Sequence, residues 1–316
     1  MNDKIRLGIS TCLLGEKVRY DGGHQHDRFL TGTLGKYVSW YAVCPEVECG
    51  LSVPREAMRL VGEPDSPRLI TRTSGIDHTD KMGSWIPGKL KDLENQDLCG
   101  FIFKSKSPSS GYSGVKVYSS SGQASKKGMG IFAAAFIDHF PLIPVEDDGR
   151  LHDPKIRENF IERVFVFRRW GAMLQENAGV KGLIEFHAAH KLLLMAHSQK
   201  HYTLLGKMVA DAGKKMQTAF FNEYIITLME ALKLQATKKK NTNVLMHLAG
   251  YFKKYLSKNE KIELQEVIDR YYKGFIPLIV PITLINHYVC KYDDRYLKKQ
   301  YYLNPHPAEL MLRNHV

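Results

Sequence analysis

Apolar and polar positions follow two different patterns along the chain. Up to about residue 150, short apolar runs alternate with amphipathic stretches; beyond it only helical periodicity remains. In the first part, Ile5–Ser10, Trp40–Val43, Gly100–Phe103 and Leu142–Val145 read as strands, with Val115–Tyr118 as a short edge strand. Leu30–Val38, Asp80–Asn95 and Ile131–His139 read as helices. Strands alternating with helices predict a parallel, Rossmann-like sheet covered on both faces. The polar stretch Val145-Glu146-Asp147-Asp148-Gly149-Arg150 marks a seam, dividing an α/β domain over residues 1–150 from an all-α domain over 151–316. The second part predicts helices over 154–175, 182–197, 202–212, 217–234, 241–256, 261–272 and 282–292.

A sheet of this kind binds ligands beyond the carboxyl ends of its strands. Cys12 follows the first strand, Cys44 follows the second, and Cys49 lies five residues further on. The Ser-rich loop from Lys104 to Gly111 follows the third. These residues are expected at one rim, whereas Cys99 opens the third strand at the opposite rim and serves packing. Cys290 falls on an apolar helix face, where a buried core thiol is expected. An odd cysteine count of five argues against a disulfide framework.

Composition bounds the picture. With 44% hydrophobic and 25% charged residues, the chain is neither collagen-like nor low-complexity. Its longest apolar run, residues 275–285, is about half of the ~20 residues a membrane-spanning helix needs and contains two prolines. The start MNDKIRLGIS offers no apolar stretch of signal-peptide length, so a cytoplasmic location is expected. The net charge of +12 divides unevenly, +1 over residues 1–150 and +11 over 151–316. A surplus confined to one half suggests a polyanionic partner for that half, with nucleic acid foremost; a Lys-rich solvated helical surface is the plainer reading.

Thiolates select soft centres, namely iron–sulfur clusters, zinc or copper(I). Paired CxxC spacings are absent, and His24 and His26, in the turn after Cys12, could complete a zinc site. Cysteines from separate loops are compatible with a cubane cluster, and equally with reduced thiols packed in loops. His187, His190 and His197 share one predicted helix without an acidic partner at metal-binding spacing, which favours a structural role.

The wording of the loops narrows the choice. IS-x-CLLG-x-x-VRYDGGH, CPEVECGL-x-VPR, LCGFIFKSKSPSSG, VPITLINHY and YYLNPHP occur in order. Together they resemble the thiouracil desulfidase (TudS-type) domain fused to a helical domain, as in YbgA-like proteins and the RNA 4-thiouridine desulfidases called RudS. The resemblance implies a [4Fe-4S] cluster held by three cysteines with one iron open, and removal of sulfur from thiolated uracil. It also implies a helical domain that recruits tRNA, with water as co-substrate. The family's third-loop pattern is SPSCG, but this chain reads Ser107-Pro108-Ser109-Ser110-Gly111, so position 110 offers no thiolate. The expected ligands are therefore Cys12, Cys44 and Cys49, with Cys99 as the alternative third, or else the cluster has been lost.

Around such a cluster, Glu46 is the candidate acid/base. Ser107, Ser109 and Ser110 are candidates to orient the pyrimidine. Asp21 either contacts the site or shapes the turn before Gly22-Gly23. Lys104 and Lys106 are candidate phosphate ligands. In the helical half the candidate RNA contacts are Arg168, Arg169, Lys214, Lys215, Lys238, Lys239, Lys240, Lys253 and Lys254, with Lys298 and Lys299 beside Tyr301 and Tyr302. The leading expectation is tRNA 4-thiouridine desulfidation; free thiouracil as substrate, or a noncatalytic iron–sulfur RNA-binding protein, are the alternatives.

Overall fold

The structure is a computed structural model that describes residues 4–215 and 218–315. The chain forms two compact units, Met1–Asp153 and Pro154–Val316. The first runs β1 (Ile5–Ser10), β2 (Val38–Val43), α1 (Pro45–Glu48), β3 (Met58–Glu63), β4 (Ser66–Thr71), α2 (Thr79–Glu94), β5 (Phe101–Phe103), β6 (Val115–Tyr118), β7 (Ala124–Gly128), α3 (Ile131–His139) and β8 (Val145–Asp147).

Two four-stranded sheets share these strands. The parallel sheet has the order β2-β1-β5-β8, so the chain leaves β1 for β2 on one side and returns to β5 on the other. That reversal makes the carboxyl end of β1 a topological switch point, where such sheets leave a crevice. Gly8 of β1 is required by close packing, since a Cβ there would lie 2.1 Å from the Phe101 ring. Phe101 and Phe103 of β5 stack at 4.3 Å and meet Phe132 and Phe136 of α3, forming the centre of the core. Met82, Ile86, Leu90 and Leu93 of α2 bury the same apolar face at helical spacing.

The second sheet, β4-β3-β6-β7, lies outside the expected layout. Val115–Tyr118 was expected at the edge of the parallel sheet; instead it pairs with β3 and β7 in this sheet. The last parallel strand begins at Val145 rather than Leu142, because Pro144 carries no amide proton and only its carbonyl pairs, accepting from Phe101 N at 2.9 Å. The expected helix over 30–38 is a π turn and a 3-10 turn, residues 29–36, and Val38 belongs to β2.

The second unit is helical: α4 (Pro154–Asn177), α5 (Val180–His197), α6 (Gln199–Lys215), α7 (Thr218–Lys233), α8 (Lys238–Tyr251), α9 (Lys258–Tyr272) and α10 (Ile279–Lys291). Ser257 and Glu260 cap α9 reciprocally. No helix among the described residues is long and apolar enough to cross a membrane. Cys290 is exposed on α10, contrary to the expected core position, because Tyr288 and Val289 take the buried face there.

Candidate functional site

Each strand of the parallel sheet delivers a different group to its carboxyl rim. After β1 the chain tightens into a 3-10 turn over Thr11–Leu14, ended by Gly15 at φ 97°. Cys12 is thereby buried, and its carbonyl accepts from Gly15 N and Gln25 N. After β2, Pro45 starts the single-turn helix α1 directly behind Cys44, placing Glu46 and Glu48 in its first turn. Glu48 then accepts from Cys44 N at 2.9 Å and pairs with Lys89 at 2.8 Å, fixing the loop against α2.

After β5 the Ser-rich loop is clamped by the start of α3. Ile131 N donates to Pro108 O, Phe132 N and Ala133 N to Ser109 O, and Gly130 N to Gly111 O. This approach admits no side chain at Gly130, whose Cβ would sit 2.5 Å from the Ser109 carbonyl. Helix donors that would otherwise lack partners thus hold the loop rigid.

These loops enclose a cavity of about 360 Å³ whose lining includes Cys12, Cys44, Glu46, Ser107 and Ser110. Arg19, Arg55, Arg72, Lys104 and Lys106 also line it. Glu46 is its central carboxylate: Oε1 accepts from Ser109 Oγ at 2.5 Å, Oε2 accepts from Cys44 Sγ at 3.5 Å, and Arg55 Nη2 stands 3.9 Å from Oε2. Ser109 is fully buried and stands behind the cavity wall, bonded to Glu46 and to Ser110 Oγ at 3.3 Å. Ser107 Oγ lies 3.0 Å from Ser109 Oγ and accepts from Ser110 N at 3.1 Å. Burial pushes the thiol of Cys12 up to about 11 and that of Cys44 up to about 12, Glu46 adding to both.

Cys49 stands outside the cavity lining, although its thiol feels the same Glu46 and Arg55 charges as that of Cys44. It belongs to the apolar cluster that also contains Val43 and Met82, and donates from Sγ to Glu46 O at 3.3 Å. Ser110 shares the cavity wall with Cys12 and Cys44, as do Ser10, Ser105 and Ser107. Cys99 lies buried at the amino end of β5, its N–H donating to Arg6 O. Asp21 is an exposed turn residue outside the lining; Gly23 N donates to it at 2.9 Å, which lowers its carboxyl below the usual range. His24 and His26 are likewise exposed.

Lys104 was expected to be a phosphate ligand, but it is already engaged by Asp148 at 2.9 Å, while Lys106 is exposed. Arg19, Arg55 and Arg72 went unremarked as site residues in the sequence. Arg19 and Arg55 lie inside quoted loop words, VRYDGG and VPR, and that was the available signal. Arg72 follows β4, an unexpected strand, and offered none.

The expected RNA contacts of the helical unit separate into two sets. Lys239, Lys253 and Lys254 are exposed, Arg168 and Lys238 half-buried. Arg169 turns inward instead: its guanidinium covers the Tyr301 ring at 3.7 Å, donates to Pro305 O and is held down to about 10 by burial. Lys240 donates to His197 O at 2.7 Å and Gln235 O. Tyr302, expected to stack on bases beside Lys298 and Lys299, is fully buried and donates to Asn241 Oδ1, and Tyr301 packs against His190. The reason is shared: the YYLNPHP segment folds back along α4 and α5 as core. Lys214 and Lys215 end α6, and their side chains lie outside the described residues. His197 does have an acidic partner, Glu162 of α4 at 3.2 Å, which spacing within one helix could not reveal.

Comparison with known proteins follows the same division. Residues 7–148 match the family described as 2-thiouracil desulfurase, and residues 191–307 match a protein of unknown function family (DUF1722). The chain is 35% identical over 143 residues to the protein YbgA of Escherichia coli (strain K12), covering 45% of this chain and 85% of that one. Among solved structures, a [4Fe-4S]-dependent thiouracil desulfidase, TudS, is similar at 32% identity and a TM-score of 0.39, covering 48% of this chain and 94% of its own.

Proposed function

Since the chain belongs to the family of Escherichia coli YbgA and joins a 2-thiouracil desulfurase domain to a DUF1722 region, we propose that it is a [4Fe-4S]-dependent desulfidase converting 4-thiouridine in tRNA to uridine. The observation that carries this reading is a cavity pairing two buried thiols with five basic side chains. Thiols from the ends of two adjacent strands have the softness an iron–sulfur cluster requires. Arg55 is paired with Glu46, Lys104 with Asp148 and Arg19 with Asp21, which leaves Arg72 and Lys106 of the five for the phosphates flanking a nucleotide, a charge that a neutral free base lacks.

Cys12 and Cys44 would hold the cluster as thiolates, and Ser110, which occupies the cavity wall where Cys49 does not, is the third protein donor. The cluster, when bound, supplies a Lewis-acidic iron to the thiocarbonyl sulfur. The protein does the rest. Arg72 and Lys106 hold phosphate while the target nucleotide is drawn out of its stack into the cavity. Glu46, oriented through Oε1 by Ser109, takes a proton from water at Oε2 as the water oxygen bonds to C4. It returns that proton to sulfur as the C–S bond breaks, and the adduct's hydroxyl gives up its own proton to the departing sulfide as the C4 carbonyl forms, so thiouridine and water give uridine and hydrogen sulfide with no net electron transfer. Exposed Tyr255, beside Lys253 and Lys254 on the helical unit, offers a stacking face next to cations for the rest of the RNA.

The test is anaerobic reconstitution followed by incubation with thiolated bulk tRNA and, separately, free 2-thiouracil, reading loss of thiocarbonyl absorbance. Wild type is expected to clear the tRNA signal, and Glu46→Gln to slow it about 10²- to 10⁴-fold while keeping its iron. Loaded enzyme that consumes free thiouracil and leaves tRNA untouched would reverse the substrate assignment. Cys49→Ala is expected to retain full iron and sulfide content and Ser110→Ala to lose it; the opposite result returns the third position to Cys49.

A further inference from the structure

A second site lies in the helical unit, independent of the thiol cavity. Glu158 and Glu162 stand one turn apart on α4 and face inward, and His306 of the C-terminal segment meets them there. Among the described residues, these three form the one group of His, Cys, Asp or Glu side chains whose ligand atoms all lie within 4.8 Å of one another. We propose that Glu158, Glu162 and His306 bind a divalent first-row metal ion.

Three features distinguish this cluster from an ordinary buried ion network. First, His306 is nine-tenths buried and its Nε2 has no hydrogen-bond partner. A buried nitrogen without a partner is costly, and a metal ion would satisfy it. Second, His306 Nδ1–H donates to the Pro307 carbonyl at 3.2 Å, so the lone pair belongs to Nε2. Metal-ligating imidazoles are typically anchored in this way through the opposite ring nitrogen. Third, both carboxylates are oriented by other groups. Arg313 Nε lies 3.1 Å from Glu158 Oε1, Arg313 Nη2 lies 2.7 Å from Glu162 Oε1, and His197 Nε2 lies 3.2 Å from Glu162 Oε2. One guanidinium thus spans two carboxylates, and His315 Nε2 stands 3.5 Å from Glu158 Oε2.

The donor set defines the ligand class. Two oxygens and one imidazole nitrogen suit Mn(II), Fe(II), Co(II) or Zn(II) and offer nothing to thiolate-seeking Cu(I). Glu158 and Glu162 also line a cavity of about 210 Å³, which leaves room for water or a small substrate beside the ion.

The experiment titrates chelator-treated full-length protein with Mn(II), an ion cysteine thiolates bind poorly, and reads the free aqueous Mn(II) signal by electron paramagnetic resonance. Wild type and the Cys12→Ala/Cys44→Ala variant are both expected to bind one Mn(II) per chain. His306→Ala and Glu162→Gln should each weaken binding about tenfold or more. If His306→Ala loses helical circular dichroism, His306→Gln takes its place. Co(II) added to the Cys12→Ala/Cys44→Ala variant gives the parallel reading, with no thiolate charge-transfer band expected. The proposal is overturned if wild type binds neither ion stoichiometrically, or if both His306 variants bind as tightly as wild type. Because the readout involves neither the cluster nor desulfidation, failure here leaves the proposed function standing, and the reverse also holds.

Discussion

Single side chains decide more here than their positions in the sequence reveal. Arg313, three residues from the end, is buried with ion pairs to Glu158 and Glu162 and donates from Nη1 to Tyr302 O at 2.5 Å. Replacing it by Met strips two buried carboxylates of their cation, and chemical denaturation should record a loss of about 3–5 kcal/mol. A loss under ~1 kcal/mol would show that the carboxylates simply take up protons. Nothing in the sequence pairs residue 313 with 158 and 162, since the three share no helix and no motif. Cys49 teaches a related lesson. Five residues from Cys44 in the chain, it is the expected third ligand, yet it follows the single turn α1 and stands outside the cavity lining. Cys12, Cys44 and Glu46 were legible because each directly follows a strand end whose rim is fixed by topology.

Elements were legible in proportion to their periodicity. The seven helices of the second unit carry long amphipathic patterns, and the structure has helices in all seven places, with ends shifted by a few residues. The second sheet was missed because its strands carry little alternating signal: β4 contains Pro67, and β7 is ASKKG with a single buried residue. The start of α2 is an electrostatic joint to that sheet. Asp77 accepts from Thr79 N and Oγ1 and pairs with Arg68 of β4, and these bonds lower its carboxyl to about 2. A depressed carboxyl stabilises the fold above its unfolded value near 4, and that contribution fades as pH falls through 2. Asp77→Asn should therefore lower the thermal midpoint at pH 6, and the gap to wild type should close in titrations from pH 4 toward 2; a gap constant across that range would exclude the charge as cause. The clamp between α3 and the Ser-rich loop gives a second element-level expectation. Gly130→Ala forces the Ser109 carbonyl away, so iron loading and desulfidation should fall together while circular dichroism of the helices is retained. Unchanged loading would show that the loop tolerates displacement.

For the molecule as a whole, the uneven charge is the informative quantity. The +11 surplus sits in the helical half, yet the near-neutral half gathers five cations around one cavity. If both surfaces engage RNA, the logarithm of tRNA affinity should fall linearly with the logarithm of salt concentration. Lys253→Glu/Lys254→Glu should flatten that slope without changing turnover of a short thiolated oligonucleotide. A slope identical to wild type would remove those lysines from the interface. The cavity's walls come from different sheets. The thiols and Glu46 hang from the parallel sheet, while Arg55, Ala57, Met58 and Arg72 stand at the open end of the β3–β4 hairpin, held together by Arg72 N donating to Ala57 O at 2.9 Å. Reactive chemistry and molecular selection thus occupy separately heritable pieces of architecture. On the proposed reading, substitutions confined to the hairpin alter which sulfur-bearing guest is admitted and leave the side chains of the parallel sheet's rim in place.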